Sequence, residues 1–381
     1  MKKQTVFFSV TLFLAGAAAA LLAVTLLLGL RFGGRDGLHA AFRFAEARKV
    51  ISERYLAEIA PDTLTEGAIS GMVEAVGDRW SYYMNAETYA QYRNYSANLQ
   101  SGIGISVKQS DDLRGLLVVE VVEGSPAEKA GIRADMLLLE VDGASVAGKT
   151  GTEARQMILN AGDPVPLLLE TPEGKNFSVH VPLGTIAAQV VYSYMPEPGI
   201  GYIGIANFEA GAAKDAMAAL QSLREEGAEK IVFDVRDNPG GQLTELLSLL
   251  DDLLPEGELF VGRDKNGNED VRYSDAACVQ MPMAVLVDEN SYSAAEFFAA
   301  VLSEYDWAKI VGSQTTGKSR SQVNIPLMDG DVIHLSTAGY LTPDRVDLTE
   351  NGGLTPDVPV EQGEETDLQL QAALDLLRTA A

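Results

Sequence analysis

The chain has 381 residues, 46% of them apolar, enough for two or three domains with substantial cores. Its formal net charge of -25 argues against a nucleic-acid partner, because a phosphate-binding surface needs clustered lysine and arginine. The single cysteine, Cys278, excludes an intrachain disulfide; at the head of the apolar run MPMAVLV it reads as a small buried residue.

After Lys2 and Lys3 the sequence is uncharged from Gln4 to Leu30, and Arg31 and Arg35 follow. This run exceeds the ~20 residues that span a bilayer and is longer than the ~7–15 of a signal-peptide core. Residues 1–36 therefore read as an uncleaved single-pass membrane anchor, although Ala17–Ala20 imitates a cleavage site. Lys2 and Lys3 belong inside, with the acidic remainder outside the cytoplasm.

Residues 37–97 carry a helical pattern, with Phe42, Ala45, Val50, Ile51 and Tyr55 on one stripe. Thr63 and Glu66 have the spacing of a capping box at a helix entry. Trp80 and the tyrosines of GDRWSYYMNAETYAQYRNY are expected to be an aromatic cluster holding helices together. This helical region is also a candidate surface for homo-oligomer formation.

Residues 98–185 switch to short strands. GIGISVKQ, GLLVVEVVEG and MLLLEV are rich in β-branched and apolar residues between turn signals. Ser125, Pro126 and Glu128 mark the start of a short helix. GTEARQMILNAG is a second helix, and VPLLLETPEGKNFSVHVPL a hairpin turning at Glu173-Gly174. SGIGISV, SPAEKAGI and LLLEVDGASV in this order resemble a PDZ domain of the circularly permuted bacterial kind, with Ala134-Asp135 where Gly-Asp is common. The resemblance implies that a peptide adds as a strand beside Gly102, Ile103, Gly104 and Ile105, its free C-terminus held by loop amides. Read alone, Gly102 and Gly104 would be an ordinary turn or bulge.

Residues 186–362 alternate strands and helices, which points to βαβ units and at least partly parallel pairing. The strands include GYIGIANF, KIVFDVR, MAVLVDE and KIVGSQ. An amphipathic helix occupies 363–381. The fold class is α/β: membrane helix, helical cap, PDZ module and an α/β core, with the helical region and core as one split domain.

In NSYSAAEFF, Ser293 and Glu296 have the spacing of a capping box, so Ser293 first reads as a helix N-cap. The same junction also places a hydroxyl beside free backbone N–H groups and the positive end of a helix dipole, donors that suit an oxyanion. A serine nucleophile needs a base, and the three histidines offer little. His39 follows the span, His180 lies in the PDZ hairpin, and only His334 is easily recruited. Lys318, after the strand KIVG, serves if burial removes its proton, and Arg320 nearby is expected to help.

Ser293, Lys318 25 residues later in a Gly-Lys pair, and Gln322 four residues on resemble the carboxy-terminal processing protease family. The resemblance implies Ser293 as nucleophile, Lys318 as general base and Gln322 as the residue orienting the lysine. Ser291 then matches the preceding serine, which is not the nucleophile. DVRDNPGG, Asp234 to Gly241, resembles the family's glycine-rich segment and implies an oxyanion hole from Ala294 with Gly240 or Gly241, a choice the spacing leaves open. The family also implies a core resembling the crotonase/Clp-like fold, no metal or other cofactor, and cleavage after small apolar residues near protein C-termini. The chain departs from the family at Arg79, where proline is usual, at Tyr292, where a small residue is usual, and at Ser319 and Arg320 beside the lysine. A catalytically inactive PDZ scaffold binding protein C-termini is the alternative; the presence of Ser293, Lys318 and Gln322 weighs against it.

Overall fold

The computed structural model describes residues 2–363 and 366–379. Its contacts divide the chain into two compact units, residues 1–77 and 78–381. The first holds α1 (Lys2–Arg31), α2 (Gly34–Arg54) and α3 (Pro61–Glu74). From Phe13 to Arg31, α1 is long and apolar enough to cross a membrane. The α2 stripe is present, but Phe42, Val50 and Ile51 are exposed. The expected capping box at Thr63 is not the helix entry. Proline, with φ already helical, starts α3 two residues earlier, and Thr63 N–H donates to Ala60 O (3.2 Å).

The second unit begins with β1 (Tyr82–Met84), α4 (Ala86–Ser96) and β2 (Leu99–Gly102). The helical reading fails at 82–84, where Tyr82 lies opposite His334 in an antiparallel pair. Three residues are too few to register in a helical window, and the pairing with β18 rather than any alternation makes them a strand: burial rises steadily from exposed Tyr82 to buried Met84.

The PDZ module comprises β3 (Ile105–Gln109), β4 (Leu116–Val121), α5 (Pro126–Lys129), β5 (Leu137–Val141), β6 (Ala144–Ser145), α6 (Gly151–Asn160), β7 (Val165–Glu170) and β8 (Asn176–Val181). Its antiparallel sheet runs β3-β4-β5-β7-β8, with β6 on β5. Leu116, Val118, Leu138, Leu167 and Leu169 point inward at alternate positions and pack with Ala154 and Ile158 of α6. Ser125 Oγ accepts from Glu128 N–H (3.1 Å) at the head of α5, as its sequence predicts. The chain enters by β2 and leaves by β9 (Gly184–Ala187), which pair antiparallel.

The remainder forms β10 (Val191–Glu197), β11 (Ile200–Ile205), α7 (Ala212–Glu225), β12 (Lys230–Asp234), α8 (Leu243–Leu253), β13 (Gly257–Asp264), β14 (Glu269–Ser274), β15 (Met283–Val287), α9 (Ala294–Glu304), β16 (Ala308–Gly312), β17 (Arg320–Pro326), β18 (Val332–Leu341), β19 (Val358–Pro359) and α10 (Leu368–Thr379). The main sheet runs β10-β11-β12-β15-β16-β19, parallel except for β10. Both faces are covered, which explains the unbroken apolar runs. Ile231, Phe233 and Val285 pack with α7, α8 and α9, whereas Val232, Ala284 and Leu286 pack with Leu374 and Leu377 of α10. A second sheet, β1-β18-β13-β14 with β17 also on β18, carries one wall of the cleft described below. Cys278 departs from its expected burial: it is half-buried in the loop before β15.

Phe298 of α9 is fully buried between Phe208 and Phe233, with ring centroids at 5.6 and 5.4 Å. Phe298→Ala should lower unfolding stability by about 3–5 kcal/mol in a urea titration, through lost burial plus a cavity.

Candidate active site

Three neighbouring parallel strands, β12, β15 and β16, deliver their following loops to one edge of the main sheet. Ligand sites of such sheets lie at these carboxyl ends. The loop after β12 brings Gly240 and Gly241, the turn after β15 brings Ser293, and the segment after β16 brings Lys318. All four line one cavity of about 620 Å³, with Ala294 and Gln322 also on its wall.

Ser293 sits at the strand-to-helix turn before α9 with φ 58° and ψ -121°. A left-handed φ is costly for a residue with a side chain, and it turns the hydroxyl toward the cleft. Ser291 has another task. It is fully buried, donates Oγ–H to Val235 O (2.7 Å) and accepts from Asp288 N–H (3.0 Å), tying the ends of β12 and β15 together.

Glu296 organises this edge. It is fully buried. Its carboxylate accepts from Ser293 N–H (2.9 Å), Lys318 N–H (2.7 Å), Gly317 N–H (3.0 Å) and Thr315 Oγ1 (2.7 Å). The capping-box spacing anticipates only the first of these bonds. Burial pushes the Glu296 carboxyl up, while the four donors pull it down. Thr315 Oγ1 also accepts from Leu354 N–H (2.7 Å), so the GGLTPD segment is held to the lysine loop. Tyr340 spans the same gap from β18: its hydroxyl donates to Lys318 O (2.6 Å) and lies 3.3 Å from Ser293 Oγ.

Lys318 is half-buried, and its ammonium is pushed down to about 8, chiefly by burial. Asp78 and Glu296 oppose the shift, and Arg79 adds to it. Arg320 is not the helper the sequence suggests: its guanidinium is paired with Asp347 (3.2 Å) and so largely neutralised. Ser319 is anchored to the same carboxylate and to Thr349 Oγ1 (2.8 Å).

Among the described residues Lys318 Nζ makes no hydrogen bond to Ser293 or Gln322. It lies 4.5 Å from the Trp80 ring centroid and 5.8 Å from that of Tyr292. The Gln322 amide N–H donates to Arg320 O and to Ser336 Oγ, both at 2.9 Å. The aromatic residues after Gly77 therefore do more than join helices. Trp80, Tyr82, Tyr92 and Tyr95 wall the cleft because β1 lays this segment along β18, and Tyr292, next to Ser293, joins them. His334 also faces the cavity, stacked on Tyr82 at 4.7 Å and bonded through Nδ1 to Asn324 Oδ1 (2.8 Å). Burial and nearby Lys318 push it down to about 4. His180 is exposed in β8.

Gly240 packs directly on the Ser293 turn. A Cβ there would come within 2.8 Å of Ala294 N and 2.9 Å of Ser293 Cβ. Its N–H is already used by Asn238 Oδ1 (2.8 Å). The N–H groups of Gly241 and Ala294 have no hydrogen-bond acceptor among the described residues. In the PDZ module, Gly104 has φ 86°, and a Cβ there would meet Ser125 Cβ at 2.4 Å. Gly102, Ile103 and Gly104 thus turn the chain from β2 into Ile105 and the edge strand β3.

Three family profiles match in succession: an activating protease CtpB N-terminal domain at residues 36–88, a PDZ domain at 95–170 and peptidase family S41 at 199–360. The carboxy-terminal processing protease CtpA of Bacillus subtilis (strain 168) is 31% identical over 95% of this chain and 78% of its own length. The chain belongs to the carboxy-terminal processing protease family. A carboxyl-terminal-processing protease of Synechocystis sp. is 30% identical, covering 82% of this chain and 77% of its own. The photosystem II D1 C-terminal processing protease shares the fold, with TM-score 0.51 and 24% identity over 89% of this chain and 97% of its own. The protein is accordingly a serine-type endopeptidase of the carboxy-terminal processing class, with a PDZ module and an S41 core.

Activity should depend on Glu296 beyond helix capping, because its carboxylate joins the Ser293 and Lys318 segments. In Glu296→Gln one oxygen becomes an amide donor facing N–H donors. Losing about 3 kcal/mol of positioning predicts an approximately 10²-fold fall in peptide cleavage, measured against a folded control by circular dichroism.

Proposed function

We propose that the protein is a membrane-anchored endopeptidase that cleaves extracytoplasmic proteins at or near their C-termini, using Ser293 as nucleophile and Lys318 as general base. The observation that carries this reading is a lysine pushed down to about 8 in the cavity of a serine held at a strained strand-to-helix turn. At pH 7 such a lysine is neutral roughly a tenth of the time, against about one in a few thousand for an ordinary lysine. The neutral amine swings from Trp80 to Ser293 Oγ and takes its proton as the oxygen attacks the peptide carbonyl. Bond cleavage returns that proton to the departing amine. Water, activated by the same lysine, then hydrolyses the acyl-enzyme.

The Gly241 and Ala294 amides are the donors for the tetrahedral oxyanion, since the Gly240 N–H is occupied by Asn238. Gly240 contributes by staying small. Gln322 Oε1 has no donor among the described residues, so it can receive the lysine once the side chain leaves Trp80. In this reading α1 is the single-pass anchor, and the acidic domains lie outside the cytoplasm. The groove between β3 and α6 takes the substrate's free C-terminus, with the amides of Gly102–Ile105 as its floor. The partners are protein substrates and the membrane. The region before the PDZ module is the surface for homo-oligomer formation.

Ser293→Ala and Lys318→Ala should each abolish cleavage of an unstructured protein. Because the neutral lysine is the active form, the wild-type rate should be low below pH 7 and rise through about 8 to a plateau. His334→Asn should leave that limb in place; its disappearance would assign the base to histidine instead.

A further inference from the structure

We propose that Trp80 and Tyr292 form an aromatic clamp that holds the protonated Lys318 side chain away from Ser293 and releases it on proton loss. The inference rests on the reading of Lys318 as general base. The two rings pack against each other with centroids 5.5 Å apart, and Lys318 Nζ lies over both. A ring face attracts an ammonium and gives little to a neutral amine.

Asp78 and Glu296 attract this cation, but among the described residues neither forms an ion pair with it, and both carboxylates are hydrogen-bonded to other donors. Asp78 accepts from Trp80 N–H (3.1 Å) and Ser81 Oγ (2.5 Å), and Glu296 carries its four donors. Glu209 and the phenols of Tyr82, Tyr92 and Tyr95 line the same cavity, the Glu209 carboxylate accepting from Ser96 Oγ (2.8 Å) and Gln242 Nε2 (3.0 Å). Arg79 itself packs on the Trp80 ring at 4.2 Å, and Arg320 is paired with Asp347. His334 is held neutral by burial, and Tyr340 donates to the Lys318 carbonyl. The indole face, 4.5 Å from Nζ, is thus a partner in place for the charge. Tyr292 of the clamp, and Arg79 stacked on its tryptophan, stand where the sequence departs from its family.

The test follows the pH dependence of Ser293 labelling by a small alkyl fluorophosphonate on the full-length protein, so that peptide binding does not enter. Trp80→Leu keeps apolar cover but removes the ring face. Its acid limb should move down by up to about one pH unit, the ~tenfold bias of a cation over an indole. Trp80→Phe should move it less. An unmoved or raised midpoint in Trp80→Leu overturns the clamp, since the tryptophan would then act only by excluding water. Should Trp80→Leu fail to fold, Tyr292→Leu decides: a smaller downward shift supports the clamp, and none overturns it. Lys318→Ala separates the two levels. If it labels with the wild-type profile, the general-base reading fails; if it is inert and Trp80→Leu is unmoved, only the clamp fails.

Discussion

One buried carboxylate holds the catalytic edge together. Glu296 is the third residue of α9, and its oxygens collect donors from the serine turn and from the lysine loop. Without it, the N–H groups of Ser293, Gly317 and Lys318 would be left unsatisfied in a largely buried place. That cost holds the two segments adjacent, together with Tyr340 and the bond from Thr316 N–H to Ser291 O (3.2 Å). Through Thr315 the same carboxylate also fixes the closing GGLTPD segment, so the end of the core is tied to the site.

This constraint works because the sheet has already done the coarse placement. β12, β15 and β16 are neighbours with parallel direction, so their loops emerge at one edge. The lysine then sits in surroundings that disfavour its charge. Burial dominates, Arg79 adds to it, and the attraction of Asp78 and Glu296 does not offset it. The general-base role proposed for Lys318 thus rests on packing.

The alternation of apolar strands and helices was legible because the strands are buried on both faces, as Ile231, Val232 and Phe233 illustrate. The PDZ segment was legible because its caps and turns use ordinary turn chemistry at Ser125 and Gly174. The spacing of Ser293, Lys318 and Gln322 carried the family. What it did not carry is long-range. β1 is three residues that become a strand only by pairing with β18 over 240 positions away. The aromatic segment around Trp80 therefore looked like helix packing and proved to be a cleft wall. Glu296 announced one of its bonds through a local motif, while the others come from residues 19–22 positions downstream. Arg320 looked like the lysine's neighbour, yet Asp347 neutralises it, and Arg79 takes that part from a distant segment.

The central claim is that Lys318 is a base tuned by its surroundings. The direct measurement is the titration of Lys318 itself, by ¹³C NMR of protein labelled at lysine Cε, its resonance assigned by difference against Lys318→Arg. The account predicts a midpoint near 8. A midpoint at the ordinary lysine value of about 10.4 would contradict it.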